Sequence, residues 1–433
     1  MKEVIYVNKI CLPKSKYPRI VIIGGGFAGL EFVKGLKNTG YQLILIDRNN
    51  FHQFQPLLYQ VATSGLEPDS IVFPFRKQIH GFKNVIYKNA NVKEINTSNK
   101  TIITDIGSVD YDYLVIATGT ATNFFGLQSI EEQSLGLKDI RDSINIRHQM
   151  LLNLEKATSC CNLEERKKLS SFVIVGGGSA GVEMAGALAE FRRYILPKDY
   201  PEYSSSLMKI YLIEGTDKIL GTMSEESSSS ALKYLKDLDI DILLNELVID
   251  YKDNLIITKS GKKIISKNII WTAGIKGQFP NGINTASIVP GNRLKTNGYL
   301  QVEGYEDIYS IGDVAALISE ETPHGHPQIA QAAIQQGRYL AQNFKNKLSN
   351  KRSYFFKYKN KGFLSTIGRH RAVADIGRFK FAGYFAWLIW SFIHLISISG
   401  FKNKILVGIN WLISYFSYEK SNRLIIVNKR IEV

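Results

Sequence analysis

The chain has 433 residues, of which 45% are hydrophobic and 21% are charged. This length and composition predict a globular protein of about two or three domains and exclude a disordered chain. The N-terminus lacks the apolar core and cleavage site of an export signal, which predicts a cytoplasmic chain. The three cysteines, Cys11, Cys160 and Cys161, form no C-x-x-C pair and show no metal-ligand spacing. We therefore expect no thiol redox site and no metal.

The net charge of +15 is concentrated near the C-terminus. Residues 341–433 contain 17 Lys and Arg against three acidic residues, which is +14, so the rest of the chain is nearly neutral. The same segment contains an apolar stretch, Phe381–Phe401, with no Lys, Arg, Asp or Glu. Basic residues around an apolar, Trp-containing stretch fit an anionic membrane surface better than a nucleic acid.

The first predicted unit of structure is a strand, a glycine-rich turn and a helix. The run RIVII precedes Gly24, Gly26 and Gly29, and the helical pattern LEFVKGL follows. In such a loop the three glycines permit the turn, the approach of a pyrophosphate and close packing of the helix. The next apolar run ends in Asp47, 23 residues after Gly24, where a carboxylate can bind a ribose. The candidate nucleotide site also includes the intervening and adjacent residues Phe27, Ala28 and Arg48.

The same pattern occurs again after residue 171. The run SFVIV precedes Gly176, Gly178 and Gly181, with Ser179 and Ala180 between them, and a later run ends in Glu214. The separation of 38 residues from Gly176 to Glu214 predicts an extended helix or an insertion, for which RRYILPKDYPEYSS is the candidate. A carboxylate at Glu214 favours NAD(H) over NADP(H), because it binds a free 2′-hydroxyl and repels a 2′-phosphate.

Three further segments are predicted to approach the nucleotides. YDYLVIATGTATN (111–123) and KNIIWTAGIKG (267–277) are apolar strands followed by small-residue turns, which contain Thr118 and Gly119, and Ala273 and Gly274. DIYSIGDVAAL is expected to deliver Gly312 and Asp313 to the start of a helix. Asp313 is then either a helix N-cap or a ligand of the ribityl–pyrophosphate part of a flavin cofactor.

Together these elements resemble the flavoproteins with two dinucleotide-binding domains. The resemblance implies an α/β fold with two Rossmann-like domains, the first holding non-covalent FAD and the second holding NADH and inserted into the first. The implied FAD domain is 18–125 with 285–345, and the NADH domain is 126–284. The resemblance also implies that residues 346–433 are a C-terminal amphipathic helical membrane-anchoring segment.

Two stretches narrow the resemblance to the type II NADH:quinone oxidoreductases, which are single-subunit and do not pump protons. They are FHQFQPLLYQVATSGLEPDSIVFPFR (51–76) and HPQIAQAAIQQG (326–337). The second contains the AQxAxQ pattern as Ala330, Gln331 and Gln335, and the two glutamines share one helix face, where their amides can meet a quinone. The resemblance also places Ala330 and Gln331 beside the flavin.

The resemblance assigns two charged residues to the site as well. Glu183 lies near the nicotinamide and flavin, although a carboxylate favoured only by the helix dipole remains an alternative, since Glu31 has the equivalent place in the first copy. Arg369 lines the quinone route or lies in a solvated loop.

The C-terminal segment is expected to lie in the membrane interface. Phe381–Phe401 is long enough to span a bilayer, but serines, glycines and His394 interrupt it, and the following stretch carries Lys402 and Lys404. We expect residues 381–418 to attach to an anionic membrane surface, with Trp387, Trp390, Phe392 and Trp411 in the lipid. A true span and burial in a dimer core are the alternatives.

The resemblance further implies a homodimer on the cytoplasmic face of the cell membrane that reduces ubiquinone or menaquinone. Two other functions compete with this one. A sulfide:quinone reductase needs cysteines near the flavin, whereas Cys160 and Cys161 lie in a polar stretch and are expected at the surface. A flavoprotein resembling the apoptosis-inducing factors would use the basic tail on nucleic acid, but such a tail should be polar.

Overall fold

The computed structural model of the chain describes residues 8–320, 322–417 and 422–425. They form two compact units. The first unit contains the residues up to His52, Phe73–Ala121 and Ile275–Asn360. The second contains Gln53–Val72, Thr122–Gly274 and the residues from Lys361 onward.

The α-helices of the described residues, in chain order, are α1 (Phe27–Gly35), α2 (Leu58–Ala62), α3 (Phe75–Gln78), α4 (Gln128–Gln133), α5 (Ile140–Ser159), α6 (Leu163–Ser170), α7 (Ser179–Glu190), α8 (Leu196–Asp199), α9 (Glu225–Asp237), α10 (Ala330–Leu348), α11 (Tyr384–Ser397) and α12 (Phe401–Ser417). Short strands outside the sheets described below are Phe51–Gln53, Val72–Pro74, Thr120–Thr122 and Ile275–Gly277.

The first unit is built on a five-stranded parallel sheet. Its strands, in spatial order, are Ile308–Ser310, Tyr113–Ile116, Arg19–Ile23, Gln42–Asp47 and Val85–Asn89. Two three-stranded sheets complete the unit. One is antiparallel and consists of Val92–Asn96, Thr101–Thr104 and Gly107–Asp110. The other is mixed and consists of Ile288–Val289, Arg293–Thr296 and Ala315–Leu317.

The central strand of this sheet is buried on both faces, as its unbroken apolar sequence RIVII predicts. Ile20 and Ile22 belong to the core that the sheet shares with α1 and α10. Val21 and Ile23 point the other way and join the core formed with the antiparallel strands. Helices and a second sheet therefore cover the two faces and leave the carboxyl ends of the strands for a ligand.

The second unit repeats the parallel sheet. Its strands, in spatial order, are Leu135–Gly136, Asn268–Trp271, Phe172–Val175, Ile210–Ile213 and Asp241–Leu243. An antiparallel sheet of Val248–Lys252, Leu255–Thr258 and Lys263–Ile265 packs on one face. The expected insertion before Glu214 is present, because α7 continues through a π-helical turn and α8 before residues 200–209 lead into the next strand.

The C-terminal part of the second unit is a three-stranded antiparallel meander followed by α11 and α12. Its strands are Phe363–Thr366, Ala372–Ile376 and Phe379–Gly383. Asp375 fixes this sheet to α9, because its carboxylate accepts hydrogen bonds from the backbone N–H of Ser224 (2.6 Å) and the hydroxyl of Ser227 (2.6 Å). Among the residues that the structure describes, no helix is both long enough and apolar enough to cross a bilayer.

Two expectations differ from this architecture. Residues 53–72 were expected with the FAD domain and residues 346–433 as a separate segment, but residues 53–72 and Lys361 onward pack within the second unit. The reason is that α2 packs against α5 and α7, and the meander packs against α7 and α9. Residues 418–421 and 426–433 of the predicted tail lie outside the described residues.

The expected helix start at Asp313 is also wrong. Gly312–Val314 is a single 3₁₀ turn, and the next helix, α10, begins only at Ala330. The chain does not continue as a helix here because the apolar residues Ala315–Leu317 pair as a strand with Arg293–Thr296.

Candidate active site

The first glycine loop has the geometry of a dinucleotide cradle. Gly24 has a φ of +101°, and a Cβ there would lie 2.4 Å from the carbonyl oxygen of Ala117. A Cβ on Gly29 would lie 2.0 Å from the carbonyl oxygen of Gly24, so the helix can pack this closely only with glycine. A Cβ on Gly26 would meet nothing within 4 Å, which leaves one side of the loop open for a pyrophosphate at the N-terminus of α1.

The strand-end carboxylate is fixed to this loop. Asp47 accepts hydrogen bonds from the backbone N–H groups of Gly25 (2.7 Å) and Asn49 (2.8 Å). Beside the loop, Thr118 has a buried hydroxyl without a protein partner among the described residues. An open glycine face and an orphaned buried hydroxyl are both features that a bound dinucleotide would satisfy, so these residues fit FAD.

Gly312 and α10 also approach this cradle. A Cβ on Gly312 would lie 3.1 Å from the Cβ of Ala28, and a Cβ on Gly337 would lie 2.3 Å from the carbonyl oxygen of Ala28. The side chain of Gln336 accepts the backbone N–H of Gly312 (2.6 Å). The fold thus brings the 3₁₀ turn that contains Asp313 next to the first glycine loop, as the sequence predicted.

A histidine that the sequence analysis did not single out supports the loop from behind. His52 is 4% exposed, its Nδ1 lies 3.1 Å from the carbonyl oxygen of Gly25, and the ring of Phe27 packs edge-on against it at 5.2 Å. Burial lowers the pKa of His52 to about 4, so near neutral pH the ring is uncharged and donates from Nδ1. His52 lies inside the stretch 51–76, and no pattern in that stretch distinguishes it from the neighbouring residues as a site residue.

The second glycine loop repeats the first. Gly176 has a φ of +110°, a Cβ on Gly181 would lie 1.9 Å from the carbonyl oxygen of Gly176, and a Cβ on Gly178 would meet nothing within 4 Å. Glu214 accepts the backbone N–H of Gly177 (2.6 Å) and both the N–H and the hydroxyl of Thr216 (each 2.9 Å). Ser179 and Ala180 begin α7, and Ala273 and Gly274 follow the strand beside Gly176.

The two glutamines of the AQxAxQ pattern lie on α10, as expected, and both are partly buried. The side-chain amide of Gln335 donates to the carbonyl oxygen of Lys359 and accepts the backbone N–H of the same residue, both at 2.9 Å. Gln331 lies one turn closer to the start of the helix, next to Ala330. A role in quinone binding stays a prediction for both, and for Gln335 it would require breaking two hydrogen bonds.

Glu183 lies in the second unit, within the first half of α7. It is 7% exposed, and it accepts the backbone N–H of Thr366 at 3.3 Å. Burial raises the pKa of Glu183 to about 8, although the hydrogen bond from the backbone N–H of Thr366 partly opposes this shift. Glu31, the equivalent residue in the first unit, instead pairs with Arg338 at 2.7 Å and Lys34 at 3.1 Å. The two positions therefore differ in chemistry, and only Glu183 can hold a proton near neutral pH.

A cavity opens close to Glu183, between α2, α7 and the two C-terminal helices. Four of its side chains offer polar groups: Trp411 donates to Gln60 (2.8 Å), Gln60 donates to the Tyr59 hydroxyl (2.9 Å), and Arg369 also lines the cavity. The lining residues are Tyr59, Gln60, Thr63, Gly65, Ala187, Glu190, Thr366, Gly368, Arg369, Trp387, Trp390, Trp411, Ser414 and Tyr415.

Arg369 joins the wall of this cavity to α12. Its guanidinium donates to the carbonyl oxygen of Tyr415 (3.1 Å) and the hydroxyl of Ser414 (3.0 Å), and its backbone N–H donates to Glu190 at the end of α7. Arg369 therefore lies in a partly exposed loop that lines the cavity, and a place on the quinone route stays a prediction for it.

The outer faces of α11 and α12 are apolar and exposed. The exposed side chains of α11 recur at helical spacing, as do those of α12, so each helix presents one continuous face. They are Phe385, Leu388, Phe392 and Ile396 on α11, and Phe401, Ile405, Ile409, Leu412, Ile413 and Phe416 on α12. Trp390 was expected in the lipid, but it is 2% exposed and stacks on His394 inside the protein, because it belongs to the opposite face of α11.

The cysteines lie where the sequence predicted. Cys161 is exposed and Cys160 partly exposed, in the connection between α5 and α6. None of the three forms a disulfide.

Comparison with known proteins agrees with this geometry. Residues 18–337 match the pyridine nucleotide-disulphide oxidoreductase family, and residues 360–417 match the NDH2 C-terminal domain. The type II NADH:quinone oxidoreductase Ndh of Mycobacterium tuberculosis is 32% identical over 414 residues, which cover 92% of this chain and 88% of that protein.

Two solved structures share the fold. NDH2 from Plasmodium falciparum, solved with NADH, superposes with a TM-score of 0.87 at 23% identity, covering 95% of this chain and 100% of that one. The sulfide:quinone oxidoreductase of Aquifex aeolicus gives 0.72 at 18% identity, covering 92% and 95%. The chain is thus a member of the pyridine nucleotide-disulphide oxidoreductase family and, within it, of the type II NADH:quinone oxidoreductases.

Proposed function

We propose that the protein oxidises NADH and reduces a membrane quinone through non-covalent FAD, without pumping protons. The observation that carries this proposal is the second unit's cavity. Its walls come from the inner faces of α11 and α12, whose outer faces are exposed and apolar. A cavity beside an exposed apolar surface is suited to an apolar substrate that is dissolved in the bilayer.

The two glycine loops supply the nucleotide sites. Gly24, Gly26, Gly29 and Asp47 would hold FAD with the help of the Asp313 turn. The loop from Gly176 to Gly181 would hold the NADH pyrophosphate at the N-terminus of α7. When bound, FAD accepts a hydride from NADH and passes two electrons onward, which is the chemistry of the cofactor. The chain itself positions the nucleotides and keeps water away.

Glu214 supports a preference for NADH over NADPH. Its carboxylate is oriented by Gly177 and Thr216, so its negative charge is fixed where the adenosine ribose of a bound nucleotide would lie. A 2′-phosphate at that place would meet like charge, whereas a 2′-hydroxyl would donate a hydrogen bond.

Quinone binding is proposed at the cavity of the second unit. The three tryptophans of the cavity wall suit a flat ring, and Gln60 and Arg369 offer polar groups for its carbonyls. The family resemblance also assigns Gln331 and Gln335 of α10 to the quinone, and the amide of Gln335 is engaged by Lys359. Glu183 would hold a proton close to this cavity near neutral pH.

We also propose peripheral attachment to the cytoplasmic face of the cell membrane as a homodimer. The apolar faces of α11 and α12 and the excess of Lys and Arg after residue 341 support the attachment. The family resemblance alone supports the dimer. Light scattering in detergent should give a protein mass of twice 48.8 kDa.

The test is NADH oxidation by the purified flavoprotein reconstituted in anionic vesicles with and without a long-chain quinone. We expect oxidation that depends on quinone, slower turnover with NADPH, and flavin released by acid precipitation. Sulfide-dependent quinone reduction without NADH activity would instead favour the rival enzyme, and equal NADH oxidation with and without quinone would refute the proposed acceptor.

A further inference from the structure

The extended segment 351–360, here called the strap, concentrates part of the positive charge that follows residue 341. Between residues 345 and 360 the chain has six Lys or Arg and no acidic residue. Lys351, Arg352, Lys357 and Lys359 are all exposed. None of these four forms an ion pair within the described residues, whereas nearby Lys295 pairs with Glu303 and Arg338 pairs with Glu31.

Side chains of α10 hold the strap in one shape. Tyr339 and Asn343 donate to the carbonyl oxygen of Tyr354, and Asn346 donates to that of Arg352 (3.2 Å). Together with the two hydrogen bonds of Gln335 described above, these contacts bind the strap backbone along about three turns of the helix. Its outward side chains therefore form a preorganised surface, which lowers the entropic cost of binding a partner.

From residue 355 to residue 359 the strap side chains alternate between outside and inside. Phe356 is buried, and its backbone N–H donates to the carbonyl oxygen of Gly298 at 2.8 Å. Phe355, Lys357 and Lys359 point outward, which places them about 7 Å apart along an extended chain. Phe355 is 62% exposed and Tyr354 is 57% exposed, so aromatic rings lie among the cations.

We propose that the strap is a second membrane-contact surface of this protein, and that it binds the phosphate headgroups of anionic lipids. Cations in a row attract anionic headgroups, and adjacent exposed aromatic rings favour the interfacial zone of a bilayer over a purely polar partner. This inference rests on the proposed membrane attachment, to which it adds a charged contact surface on the first unit.

The test compares two fourfold variants of the full-length flavoprotein with equal net charge. One is K351Q/R352Q/K357Q/K359Q. The control, K14Q/K37Q/K83Q/K93Q, removes four other exposed cations of the first unit. Co-sedimentation is measured with phosphatidylcholine vesicles that contain or lack phosphatidylglycerol, at low and high salt.

We expect the strap variant to partition onto phosphatidylglycerol vesicles at least about tenfold more weakly than the control at low salt, with the difference shrinking at high salt. Both variants should keep their flavin, melting temperature and reduction by NADH. Equal partition of the two variants would overturn the proposal, even if both still bind vesicles through α11 and α12. If the strap variant binds vesicles as the control does but has lost binding to duplex DNA, the proposal would be overturned and the strap would instead be a nucleic-acid-binding surface. If the strap variant self-associates but binds vesicles as the control does, the proposal would also be overturned. The strap cations would then only prevent the extended segment from pairing with another chain.

Discussion

Replacing Glu183 with glutamine tests whether a buried carboxyl group keeps its proton near neutral pH. Burial raises the pKa of Glu183 from 4.5 to about 8. In the unfolded chain the group loses its proton near its ordinary pKa, so the folded protein binds one more proton between about pH 4.5 and pH 8. The free energy of unfolding therefore falls as the pH rises through this window, and it levels off above about pH 8.

The size of the effect follows from the shift. The difference between about 8 and 4.5 is about 3.5 pKa units. At 1.36 kcal/mol per unit this corresponds to at most about 5 kcal/mol, and water entering the site reduces it to roughly 2–5 kcal/mol. Glutamine cannot ionise, so the free energy of unfolding of the E183Q variant does not fall in this pH window. The variant therefore becomes more stable relative to the parent as the pH rises.

The assay is the midpoint of thermal unfolding of parent and variant, followed by tryptophan fluorescence at several values from about pH 5 to pH 9. The matched control is E31Q, at the equivalent position of the first unit. Burial would raise the pKa of Glu31, but Arg338 and Lys34 outweigh it and hold this pKa below its ordinary value. The E31Q difference should therefore stay constant over the same range. A constant difference for E183Q would refute the reasoning about its protonation.

Three further predictions concern the nucleotide sites and the membrane face. Glu214→Ala should narrow the ratio of kcat/KM for NADH over NADPH by about tenfold, and an unchanged ratio would contradict its assigned role. His52→Ala leaves a carbonyl of the first glycine loop without its donor, so FAD should dissociate about tenfold more readily on dialysis, with His52→Asn partly restoring retention. The double variant F392S/F416S should weaken vesicle binding about tenfold at both low and high salt, since apolar burial is not screened. The control L163S, at another exposed apolar side chain, should bind vesicles as the parent does.

Local patterns were enough to predict the repeated core of the molecule. A glycine loop between an apolar strand and a helix leaves few conformations, so Gly24–Gly29 and Gly176–Gly181 adopt the cradle that their spacing predicts. The helix bearing Gln331 and Gln335 and the surface position of Cys160 also followed from local sequence.

Other features depend on packing between distant segments, which local patterns do not reveal. Trp390 faces inward because α11 turns its other side outward, and apolar composition alone cannot distinguish the two faces of such a helix. The amide of Gln335 is engaged because the strap returns along α10, 24 residues later in the chain. His52 was missed for the same reason, since its partner Gly25 lies 27 residues earlier.

The central claim is that one protein passes electrons from NADH through FAD to a quinone. Sequential-mixing stopped flow tests it directly: the oxidised flavoprotein is mixed anaerobically with one equivalent of NADH, then with a soluble quinone analogue, and the flavin absorbance is followed. The account predicts that NADH bleaches the flavin and the quinone restores it. In the Gln331→Ala variant the first phase should stay normal and the second should be slowed. A parent flavin that NADH reduces but quinone fails to reoxidise would contradict the account.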